Sequence, residues 1–231
     1  MTIKIFYIRR IFMKDGRKVF FSTLLSVLLI ISNIVAIKVT VVAKLPLSCS
    51  VFIYPFTYLC TALISELYGN KDARKSILYA IIIQIIVLLA YILVTNVPNQ
   101  INSIDKANAL QKVLTPYGIN GNYYPELRPI IATLVAFTIG HIVNVGLYSF
   151  AKKNTFKLIA VALSVIIGMI VDTCIYVLIS QMGTLAGNEL VLQLINRFVV
   201  NVVASVIIII LFMIFSIRKK EEVKTTKKQK G

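Results

Sequence analysis

The sequence predicts an all-α, polytopic membrane protein with six transmembrane helices and both termini in the cytoplasm. Three observations carry that expectation. The 231 residues are 58% hydrophobic and only 15% charged, with a mean hydropathy of +0.85; soluble domains are about half apolar and about a quarter charged. Six stretches, at about 20–43, 51–69, 76–96, 128–150, 157–180 and 194–217, approach or exceed the roughly 20 apolar residues that a bilayer span requires. The cations, finally, alternate between the stretches. With the N-terminus inside, every Lys and Arg except Lys38, Lys44, Lys106, Lys112, Arg128 and Arg197 falls on the cytoplasmic side.

Taken in order, residues 1–19 form a basic cytoplasmic segment with Lys4, Arg9, Arg10, Lys14, Arg17 and Lys18, suited to an amphipathic helix on the membrane surface. The apolar run from Phe20 is longer than the ~7–15 residues of a signal-peptide core, and no small-residue cleavage site follows. It is expected to remain as the first span of a six-helix domain over 20–217. The second stretch starts with Pro55 among Tyr54, Phe56 and Tyr58, as a helix start or a local break allows. One connection is long, at 97–127. It is rich in Pro, Gly and Asn, with a short surface helix expected near 104–114; loops of this length are lids or unstructured. Residues 218–231 make a basic cytoplasmic tail, polar enough to be unstructured.

Several function classes are excluded at this level. A net charge of +16 would suggest nucleic acid in a soluble chain, but here the cations flank apolar runs, where anionic headgroups account for them. Cys49, Cys60 and Cys174 show no zinc spacing and read as packing residues. No glycine-rich nucleotide loop, zinc-protease motif or Cys/His cluster is present. The expectation is therefore no enzyme, no catalytic residue, no metal and no cofactor.

The informative residues are the polar ones inside the apolar stretches. An ionisable group in hydrocarbon costs roughly 2.5–3.5 kcal/mol on insertion scales and is a functional candidate by default. Asp172 lies deep in the fifth stretch with no basic neighbour in sequence and Tyr176 one turn on; a cation from another helix is the plainer account of it. Glu66 ends the second stretch, where a pair with Arg74 or Lys75 would be the plainer account. Lys38, near the outer end of the first, can snorkel to the interface or meet a carboxylate. His141 is the chain's one histidine, and Asn144 shares its face three residues on. Asn33, Gln84, Arg197 and Asn201 complete the set. Arg197 and Asn201 share a face, and Arg197 can point outward or pair with Asp172.

Four segments match a known family in order and spacing: SNIVAIK at 32–38, YPFTYL with ELYGNKDARK at 54–75, RPIIATLVAFTIGHIVNVGLY at 128–148 and VDTCIYVLIS at 171–180. The chain resembles the queuosine-precursor transporter family, also called the VUT family. The resemblance implies six-span importers of the bacterial inner membrane that carry deazaguanine-type precursors of a tRNA nucleoside, or queuine, without a fused ATPase. Glu66 and Asp172 fit the family's pattern. The chain departs from it at Ala62 and Asn144, where the family commonly has aspartate, and at Asn201, where it has lysine; a later proline of the last span is also missing. Ala62 and Glu66 are one turn apart on one face, so Glu66 can stand in for the missing carboxylate.

A guanine-like edge offers two adjacent N–H donors, which one carboxylate can accept together. The expected substrate-binding residues are therefore Glu66 and Asp172, with Asn33, Lys38, Tyr54, His141 and Asn144 lining the site. The expected partners are a small heterocyclic substrate and the lipid bilayer. Proton coupling through Asp172, Glu66 or His141 and a homodimer are both compatible with the sequence. Two rival readings stay open: a substrate-binding membrane subunit of an ATPase-energised vitamin importer, and a non-transporting membrane scaffold.

Overall fold

The computed structural model describes residues 2–36, 39–42, 45–95, 127–183 and 187–228. Lys38 and nearly all of the 97–127 connection lie outside them. Helix α1 runs Thr2–Val35, α2 Pro55–Tyr68, α3 Asn70–Thr95, α4 Leu127–Asn154, α5 Lys157–Gln181 and α6 Gly187–Lys228. Among the described residues, six helices are long and apolar enough to cross a membrane. The side chains they leave uncovered are mostly aliphatic or aromatic, such as Ile86, Leu89, Leu93, Phe150 and Val203. That is the surface a lipid solvent selects, since helices keep every backbone hydrogen bond internal and lipid tolerates apolar exteriors.

Two boundaries differ from the sequence reading. The first helix stops at Val35, well short of 43, and a two-stranded antiparallel hairpin follows: β1, Val39–Val42, pairs with β2, Leu45–Ser48. The β-branched run Val39-Thr40-Val41-Val42 favours extended backbone over helix. Ser48 ties the hairpin back, donating from Oγ to the Ala36 carbonyl at 2.7 Å. At the other terminus α6 continues to Lys228, through the segment read as an unstructured tail; its Lys and Glu residues are good helix formers.

Local sequence explains how the chain enters and leaves α2. A short 3-10 turn at Cys49–Phe52 is capped by Ser48, and Pro55 occupies the first turn of α2, where no N–H partner is required. Gly69 ends the helix at φ 98°, with its N–H on the Ile64 and Ser65 carbonyls. A side chain is strained at that φ, and α3 starts at the next residue.

The helices α4 and α5 share the largest interface among the described elements. They meet at Gly140 and Gly168. A Cβ on Gly140 would lie 2.5 Å from Tyr58 Oη, 2.7 Å from Asp172 Cβ and 3.0 Å from the Gly168 carbonyl oxygen. Small residues of this kind let helix backbones approach in a membrane, where dispersion contacts replace the hydrophobic drive. Arg128, at the start of α4, closes the other end of α5: Nε donates to the Ile179 carbonyl at 2.6 Å and a terminal nitrogen donates to the Met182 carbonyl. Two apolar clusters flank α2, one towards α5 and α6 around Leu63, Val165 and Phe212, the other towards α1 and α3 around Leu29, Ile64 and Ile77.

Candidate functional site

A cavity opens at the hairpin end of the bundle. The last turn of α1 and the residue after it contribute Ser32, Asn33 and Ala36, and the entry to α2 contributes Ser50, Val51 and Tyr54. Thr133 and Ala136 come from α4, Asp172, Thr173 and Tyr176 from α5, Arg197 and Asn201 from α6. It has about 60 Å³ of room for the centres of water molecules.

Asp172 is the cavity's carboxylate and is only 7% exposed. Its Cβ rests against Gly140, so the glycine pair sets its depth. One oxygen accepts from the Tyr54 hydroxyl at 2.9 Å. The other has no protein partner among the described residues. Across the cavity Arg197 stacks its guanidinium over the Tyr176 ring, 4.2 Å from the centroid. Asn201, one turn along α6, donates from Nδ2 to Thr173 Oγ1 at 2.8 Å and locks α6 to α5. Asn33 presents a buried Nδ2 with no hydrogen-bond partner. The wall thus offers one anionic acceptor, one cationic donor, an unused amide donor and flat aromatic faces.

His141 and Asn144 belong to a layer beneath it. His141 is fully buried. Its Nδ1–H donates to the Phe137 carbonyl at 3.0 Å, and Nε2 lies 3.0 Å from Thr57 Oγ1. The Thr57 hydroxyl is also 2.6 Å from the Tyr54 carbonyl, so in a neutral ring its one proton serves two acceptors. The imidazole is sandwiched between Tyr58 and Phe137, with centroids at 4.0 and 4.1 Å. Asn144 donates to Thr61 Oγ1 at 3.2 Å and leaves Oδ1 buried without a partner. Thr57 and Thr61 on α2 meet His141 and Asn144 on α4, and Tyr148, one turn further along α4, reaches Glu66, so a buried polar seam runs down from the cavity.

The seam ends at Glu66, which the structure does not bring to the cavity. Glu66 lies at the opposite end of the bundle, its side chain 9% exposed. One carboxylate oxygen takes Lys152 and, at 2.5 Å, the Tyr148 hydroxyl; the other takes Lys157. The expected partners Arg74 and Lys75 are not the ones used, because α4 and α5 place their own lysines over the end of α2. A second tie at the same end joins Lys18 of α1 to Asp72 of α3 at 2.7 Å, with Ser22 and Ser76 in contact beside it.

Of the residues singled out from sequence, Asn33, Tyr54 and Asp172 share the cavity, His141 and Asn144 lie beneath it, Glu66 is remote, and Lys38 is outside the described residues. Tyr176, Arg197 and Asn201 line the cavity and were not put forward as its lining. The available signal was spacing: Tyr176 is one turn from Asp172, and Asn201 one turn from Arg197. Gln84 is buried in α3 away from the cavity with neither side-chain group paired, and nothing in the structure explains it. Among the described residues no cluster of His, Cys, Asp and Glu could hold a metal.

Comparison with known proteins returns no matching curated sequence and no matching solved structure. A family model does match, over α2 to most of α6, and so includes every cavity residue from Ser50 onwards. The family is described as Putative vitamin uptake transporter, the match covers residues 48–218, and the chain belongs to this family of multi-pass membrane transporters.

Proposed function

We propose that the chain imports a queuosine precursor, a deazaguanine-type base or queuine, across the bacterial inner membrane by secondary transport, and that the Asp172 cavity binds it. The observation that carries this reading is a buried carboxylate with a single neutral partner on the wall of a polar cavity. Such a group has acceptor capacity left for the paired N–H donors of a guanine-like edge. Tyr54 and Tyr176 supply flat surfaces for the ring, and the free Nδ2 of Asn33 supplies a donor for a ring carbonyl.

The cavity lies at the hairpin end, between the Asn33 wall on α1 and the Arg197 wall on α6, so the base enters from that end. With the N-terminus cytoplasmic, the Glu66 cluster and the Lys18–Asp72 pair close the inner end. Release requires those ties to open.

A rescue experiment tests the proposal. The chain is expressed in bacteria that neither make queuosine precursors nor import them. Each precursor, and separately queuine, is supplied at low concentration, and queuosine in tRNA is measured. Rescue by at least one compound, lost with Asp172→Asn at equal membrane abundance, is the expected result. No rescue by any compound, with the protein present in the membrane, refutes the substrate. Uptake into liposomes by the purified chain alone, with no ATPase present, is the expected outcome that excludes the subunit reading.

A further inference from the structure

Arg197 is the cation of the cavity, and among the described residues no ion pair or hydrogen bond takes up its charge. Among the described residues no carboxylate lies within ion-pair distance of it, and no group accepts a hydrogen bond from it. Its closest described interaction is the stack on Tyr176, and it acts on Asp172 only through space. That stack covers a face of the guanidinium and leaves its in-plane N–H groups unused at the perimeter. Tyr176 is one helical turn from Asp172, so the same contact that holds Arg197 also places it beside the carboxylate's cavity.

With Asp172 ionised, it and Arg197 carry opposite charges on the walls of one cavity without forming an ion pair. The cavity as a whole is near neutral but dipolar, with an accepting wall and a donating wall. An uncompensated charge inside a bilayer is expensive. The ligand that completes this site is neutral: it turns N–H donors to Asp172 and an acceptor, a carbonyl or a nitrile, to Arg197. A cation bound at Asp172 would leave the guanidinium unbalanced beside it, and an anion bound at Arg197 would do the same to the carboxylate.

We infer that Arg197 is a specificity-determining residue that selects neutral, acceptor-bearing heterocycles over cationic ones. This rests on the reading of the Asp172 cavity as the substrate site. Within the deazaguanine class it separates two bases of similar size: one bearing a nitrile, which is neutral and accepts, and one bearing an aminomethyl group, which is an ammonium at neutral pH.

The test is binding of these two bases to the full chain in lipid nanodiscs, by calorimetry, for wild type, Arg197→Gln and Arg197→Lys. Wild type is expected to bind the nitrile base at least about tenfold tighter, a difference of about 1.4 kcal/mol. Arg197→Gln leaves Asp172 unbalanced and is expected to abolish or reverse that preference. Arg197→Lys keeps the charge without the planar fork and is expected to retain part of it. Wild type binding both bases alike overturns the assignment while leaving the substrate reading intact, as does an Arg197→Gln variant that keeps the full preference. Neither base binding to wild type overturns both. Thermal melting of each variant separates a lost preference from a lost fold. Where Arg197→Gln does not fold, the wild-type ratio together with Arg197→Lys decides: a lysine variant that discriminates no less than wild type removes the planar fork from the argument.

Discussion

Asp172 at the hairpin end and Glu66 at the other are both carboxylates with less than a tenth of their surface exposed, and burial does not distinguish them. Their partners do. Glu66 is saturated by two lysines and a tyrosine hydroxyl drawn from α4 and from the start of α5. Asp172 has one hydroxyl, on one oxygen, and faces its nearest cation across open space. A carboxylate has about four acceptor sites; at Glu66 the protein occupies most of them, and at Asp172 it leaves most of them to whatever enters the cavity. An intramembrane carboxylate is therefore read as a ligand site by the partners it lacks.

Perturbing the two ends separately should break them apart in different assays. The largest effect is expected from Asp172→Asn, which keeps shape and removes charge: a loss of uptake of about a hundredfold or more, in the range of a buried charge-assisted contact, with little change in melting temperature. Wild-type uptake by this variant would remove the distinction. Next comes Glu66→Ala. It strands two lysines and the Tyr148 hydroxyl, and because both lysines can rehydrate the expected cost is about 2–3 kcal/mol of stability rather than the larger penalty of a fully buried pair. Melting of the purified protein reads it, and the preference among bound bases should not move.

Gly140→Ala sharpens the contrast without replacing a polar side chain. Its methyl would meet Tyr58 Oη and Asp172 Cβ well inside contact distance, so overpacking should cost about 1–3 kcal/mol and weaken substrate binding by displacing Asp172; unchanged affinity would mean that the glycine pair does not set the carboxylate's position. The smallest effect is expected from Lys18→Ala. Its pair with Asp72 is partly solvent-exposed on both sides, and such pairs contribute about 0–1 kcal/mol. A melting shift as large as that of Glu66→Ala would show that this end of the bundle is held by both ties equally.

Much of this molecule was legible in the chain. Hydropathy and length alone mark six helices, because a bilayer core accepts little else. Asp172 stood out because a carboxylate that deep, without a cation nearby in sequence, has to find its complement elsewhere. Glu66 is a candidate as an ionisable group at the end of an apolar stretch, and sequence alone places it in the same site. What sequence does not carry is the company each residue keeps: the lysines that saturate Glu66 are 86 and 91 residues away, and only the packing of α4 and α5 over the end of α2 brings them together. The hairpin after Val35 was missed because its residues are as apolar as the helix before it, so hydropathy continues where backbone preference changes.

The sequence by itself determined that the chain is a membrane bundle and which groups would be costly inside it, since those follow from transfer energies residue by residue. The tertiary structure decided which costly groups were already satisfied and which were left facing a cavity. That depends on helix rotation and approach, set here by contacts as local as Gly140 on Gly168, and neither rotation nor approach is written in composition or spacing.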